Sequence, residues 1–127
     1  MATPGNLTLT TLTISSPDPP ALARFYARLL GWEIGTEESG WVTLLNPAGG
    51  VKLAFHIEDV YTPPVWPSQP GEQIVMEHLD IQVDDLEAAC AYANACGAHL
   101  PDTSPRRRSA FTSIRMATSS ACTSMSK

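Results

Sequence analysis

Apolar residues recur along this chain in two registers, and the changes between them mark out its elements. From Leu7 to Ile14 threonine alternates with leucine or isoleucine, the pattern of a β-branched, half-buried strand. The apolar positions slip from Leu7 and Leu9 to Leu12 and Ile14, which predicts a bulge or strand end near Thr10 and Thr11. The period then lengthens. Leu22, Phe25, Tyr26, Leu29 and Leu30 fall at i, i+3, i+4, i+7 and i+8, one apolar face of a helix. Asp18 is placed to cap it, Pro19 to occupy its first turn and Gly31 to end it. Trp32 to Ile34 and Trp41 to Leu45 read as short strands around a polar turn, and Val51 to Ile57 as another strand beyond Asn46-Pro-Ala-Gly-Gly50.

The same grammar returns about 67 residues later. Asp85 caps a second helix from Leu86 to Cys96, and Gly97 ends it, so one domain is built from two copies of a β/α unit. The strand before this helix, Ile74 to Val83, sorts by parity: His78, Asp80 and Gln82 on one face, Leu79, Ile81 and Val83 on the other. The polar row is expected to face a pocket or solvent. Pro63-Pro-Val-Trp-Pro67 and Pro70-Gly71 make an extended connector. The second helix is rich in alanine and cysteine, which permits close approach to a sheet, and Ala98 to Leu100 is expected to open the next strand. Beyond that the periodicity collapses.

Composition narrows the class. The 127 residues suit one soluble domain, and no apolar run approaches the roughly 18–20 residues of a membrane span. The N-terminus has neither the basic region nor the apolar core of a secretory signal, so a cytoplasmic location is expected. Cys90, Cys96 and Cys122 are an odd set, and the first two lie about 600° apart around a helix, which predicts reduced, unpaired thiols. All 13 acidic residues lie at or before Asp102, against Arg24, Arg28 and Lys52. That body repels nucleic acid, and neither nucleic acid nor membrane is an expected partner.

With the repeat, the Phe25-Tyr26-x-x-Leu-Leu-Gly31 helix end, the Pro64-x-Trp66-Pro67 connector and the His78-Leu79-Asp80-Ile81-x-Val83-Asp84-Asp85-Leu86 run in view, residues 7–103 resemble the vicinal oxygen chelate superfamily. That group holds glyoxalases, bleomycin-resistance proteins and extradiol dioxygenases, and the chain looks most like its glyoxalase-like branch. The resemblance implies an α+β fold of paired βαβββ modules, often completed as a homodimer. Module one would span about 7–60, the connector 61–72, and module two run from 73, within a domain of residues 1–103.

The resemblance also implies where a divalent metal would sit, on the first and last strands of each module. His78 matches such a position. Its counterpart in module one falls at Thr11 or Leu12, and the last strand of module one offers Ala54 or His56. His78 and His56 are therefore the metal candidates, two where a catalytic centre needs about three protein ligands, so the cofactor is expected to lack a full ligand set. His56, Trp66, His78 and Asp80 are the candidate pocket residues for a small-molecule ligand. The function implied is that of a protein acting on or binding a small oxygenated metabolite, as a lyase or dioxygenase of the glyoxalase type. The alternatives are a metal-free sequestering protein of the bleomycin-resistance type and an inactive remnant.

The remnant reading comes from residues 104–127, a basic stretch without usable periodicity that replaces strands the fold requires. Taking the last base of each codon with the first two of the next, Arg108 to Ser124 can encode V-R-V-H-L-D-P-D-G-H-L-F-C-L-Y-V. That sequence resembles the family's closing hairpin. Serine codons of the TCN type yield apolar residues in that frame automatically, but the glycine is forced by Met116-Ala117. The tail is therefore read as frameshifted and aberrant, disordered or loosely packed; the rival reading is a genuine basic disordered arm.

Overall fold

A computed structural model describes residues 5–62, 69–73, 78–98, 112–117 and 122–126. It is an α+β fold in which the first unit reads β1 (Thr11–Ser16), α1 (Pro19–Leu30), β2 (Glu33–Glu38), β3 (Trp41–Leu45) and β4 (Lys52–Ile57). The four strands form one sheet in the order β1-β4-β3-β2, with β1 parallel to β4 and the other pairs antiparallel. The second unit opens with β5 (His78–Val83) and α2 (Leu86–Cys96).

The helix boundaries follow their caps. Asp18 accepts the Ala21 N–H through its side chain and Asp85 accepts that of Ala88, each filling donors that the first helical turn leaves unpaired. Gly31 and Gly97 end the helices with φ of 70° and 117°, a left-handed geometry that side chains with a Cβ resist. β1 and β5, like α1 and α2, begin 67 positions apart, so the internal repeat is structural.

Two strand expectations require correction. Residues 7–10 lie outside β1, and Leu7 and Leu9 are 74% and 76% exposed. The strand instead runs on to Ser16, because β4 supplies a partner only from Lys52 onward. β2 extends through Thr36, Glu37 and Glu38, which sequence alone places in a turn. A shift in register between Ile34 and Thr36 absorbs Gly35, where an added Cβ would lie 2.8 Å from Leu45 Cδ2.

α1 covers one face of the first sheet. Tyr26 stacks on Phe55 of β4 at 5.7 Å between ring centroids and meets Phe25 edge-on at 4.9 Å. Ile14, Val42, Leu44 and Leu53 complete that layer. Leu86, Cys90, Ala93 and Cys96 of α2 join the same core, so the two units share one apolar interior. Their helices are also tied reciprocally: Arg28 donates to the Cys96 carbonyl at 2.9 Å, and the Tyr92 hydroxyl donates to the Arg28 carbonyl. Cys90 and Cys96 are free and both buried. They occupy different faces of α2, but the helix is enclosed widely enough to bury both.

Two stretches of the tail are described. Thr112–Ala117 and Cys122–Ser126 form β6 and β7, a second sheet of order β5-β6-β7 with both pairs antiparallel. An uncovered strand edge presents a row of unsatisfied N–H and C=O groups, and this nearby segment satisfies them for β5. The module is nonetheless incomplete. Among the described residues it has three strands where the first has four, lacks the parallel pair of the first, and has no strand at Ala98; residues 99 and 100 lie outside those described. No helix among the described residues is long and apolar enough to cross a membrane.

Candidate functional site

Strand pairing determines which side chains share the face that α1 leaves open. Phe55 packs against Tyr26, so alternation places Lys52, Ala54 and His56 of β4 on the opposite side. Their partners in register are Thr11, Thr13 and Ser15 on β1, and Trp41 and Thr43 on β3 opposite His56 and Ala54. Beyond Trp41, Thr43 and Leu45 lie Glu38, Thr36 and Glu33 of β2. Thr13, Ser15 and His56 are exposed, Lys52 and Trp41 are half-buried, and Ala54 and Thr43 are buried. The Thr43 hydroxyl, 6% exposed, accepts the Thr36 N–H at 3.0 Å, which satisfies a polar group that would otherwise be costly to bury.

His56 and Trp41 form the aromatic end of this face, edge to face with centroids 6.4 Å apart. As aromatic residues within strands, Trp41 and Phe55 would both be expected in the core. Phe55 is fully buried, whereas Trp41 lies on the other side of the sheet. The signal was available in strand parity, since Trp41 alternates with Val42 and Leu44, the two residues buried under α1.

His78 begins β5, on the second sheet, in register with Ala117. Asp80 and Gln82 follow two and four residues on, both exposed and opposite Arg115 and Ser113 in register, while Leu79, Ile81 and Val83 pack toward the core. Asp80 and Gln82, two members of the polar row read from the sequence, thus lie on the outward side of β5. His56 and His78 belong to separate sheets. Trp66 lies outside the described residues.

The equivalence of β1 and β5 pairs His78 with Thr11, while Leu12 shares its parity with Ile14 on the helix side. Thr11 faces Lys52, and Thr13 faces Ala54. This donor set of hydroxyls, one imidazole and an ammonium group does not fit a divalent metal centre, which calls for about three carboxylate, imidazole or thiolate ligands. Among the described residues, no three His, Cys, Asp or Glu side chains cluster to hold an ion. Lys52 on this face adds a positive charge that opposes metal binding.

Chemistry at the helix junction is of another kind. Burial pushes the Cys90 thiol above its ordinary range, since a thiolate loses solvation there. Tyr92 is also pushed up, first by its hydrogen bond with the neighbouring Cys96 side chain. Both groups are thereby held in their neutral forms, unlike an activated nucleophile.

A helix-backed sheet of βαβββ topology, joined to a second β/α unit at the same spacing, defines the glyoxalase/bleomycin-resistance/dioxygenase fold class. The sequence profile of the glyoxalase-like domain matches residues 11–118, and the chain belongs to that family. No curated protein matches the sequence closely enough to count as a relative. Among solved structures, a glyoxalase/bleomycin resistance protein/dioxygenase family enzyme from Burkholderia phytofirmans is similar at 15% identity and a TM-score of 0.61, over 93% of this chain and 96% of that one. The bleomycin resistance determinant encoded on transposon Tn5 is similar at 19% identity and a TM-score of 0.51, over 95% and 98% of the two chains. A bleomycin-binding protein complexed with bleomycin matches at 18% identity and a TM-score of 0.50, over 96% and 98%.

Proposed function

We propose that this chain binds a small oxygenated organic molecule against the face of the first sheet that α1 leaves open. The observation that carries the reading is the row formed by Thr13, Ser15, His56 and Trp41, in which exposed polar groups and the half-buried Trp41 ring lie on the same side of the sheet. Hydroxyl and imidazole groups give orientation through hydrogen bonds, and the indole gives contact area at low entropic cost. Trp66, His78 and Asp80 belong to the proposal as further ligand contacts that the resemblance implies.

The donor set favours binding over metal-assisted turnover. Thr11 or Leu12, and Ala54 or His56, stand where the resemblance calls for metal ligands, a set short of the three a catalytic centre needs, which supports a metal-free sequestering protein of the bleomycin-resistance type. Turnover as a lyase or dioxygenase of the glyoxalase type requires His78 and His56 to be supplemented by ligands from elsewhere, and a homodimer assembled along the β1 edge is the arrangement that would supply them.

Titration calorimetry with catechol and with bleomycin, on chelator-treated protein and again with added Ni²⁺ or Mn²⁺, tests the proposal. Binding that is unchanged by metal and weakened in His56→Ala and Trp41→Ala supports it. Binding that appears only with stoichiometric metal overturns the metal-free reading in favour of an enzyme. The absence of binding under both conditions, by a chain that melts cooperatively, identifies an inactive remnant.

A further inference from the structure

We draw no further inference here: the strongest candidate, the exposed apolar patch of Leu7, Leu9 and Leu12 where the chain enters the uncharged strand β1 at the end of the first sheet, carries none, because nothing among the described residues shows what covers it.

Discussion

Phe55 and His56 are neighbours on β4 that point to opposite sides of the first sheet, and truncating each in turn tests the division between core and site. Phe55 is fully buried and stacked on Tyr26 at 5.7 Å with planes 22° apart. Burying an aromatic side chain removes about 150–250 Å² from water, worth about 4–6 kcal/mol at 25 cal/mol/Å². Phe55→Ala is therefore expected to cost about 3–5 kcal/mol, in line with large-to-small substitutions in other cores. That is a large part of the 5–15 kcal/mol that holds a typical domain together. His56 is exposed, and its truncation removes only an edge contact with Trp41, so His56→Ala is expected to stay within about 0.5 kcal/mol of the parent. Urea unfolding followed by far-UV circular dichroism reads both, as a shift in midpoint at constant slope. The reasoning is refuted if His56→Ala destabilises as much as Phe55→Ala, or if Phe55→Ala costs less than about 1 kcal/mol, either of which would place the core on the wrong side of the sheet.

Asp18→Ala removes the acceptor for the Ala21 N–H and is expected to cost about 1 kcal/mol, measurable by the same unfolding curves. Gly31→Ala meets no steric obstacle but must hold a φ of 70°, at a cost of about 1 kcal/mol. Tyr92→Phe deletes the hydroxyl that bonds the Arg28 carbonyl and is expected to speed hydrogen exchange at the α1–α2 junction with little change in the secondary structure. The buried Cys90 thiol has its pKa raised from an ordinary 9.0, so its contribution to stability is full below that value and is lost as pH rises through the folded-state value. The melting temperature is thus expected to fall above pH 9 less steeply in Cys90→Ala than in the parent, and Cys90 to resist alkylation at pH 8 in mass-spectrometric mapping. Sequencing of the coding DNA across residues 100–127 is expected to show the D-P-x-G-H hairpin in the neighbouring frame; a closed or unrelated frame would make the basic tail that carries β6 and β7 genuine.

The elements governed by short-range rules were legible in advance. α2 runs from Leu86 to Cys96 as capping by Asp85 and Gly97 predicted, and α1 begins at Pro19 behind Asp18. The polar row of β5 was equally legible, since strand parity needs no partner to be read. Strand ends were not. The stretch from Leu7 reads as strand because threonine alternates with leucine there, yet its phase breaks near Thr10 and Thr11, where β1 begins, and β4 offers no hydrogen-bonding partner as far back as Leu7 and Leu9. β2 was cut short because its Gly35-Thr-Glu-Glu38 segment carries turn residues, and only pairing with β3 holds it extended. The site was half visible: His56 was found as a titratable residue on a strand, while Trp41, Ser15, Thr13 and Lys52 became its neighbours only through pairing register.

What this sequence determined by itself is the repeated unit, its caps, its helical faces and the family that those motifs identify. Each depends on residues within a turn or two of one another, so their chemistry is written in consecutive letters. The tertiary structure decided which face of the first sheet α1 covers, which side chains share the open face, and that residues 112–117 and 122–126 pair beside β5. Those outcomes come from contacts between residues distant along the chain, where backbone groups on a strand edge accept whichever partner folding brings to them.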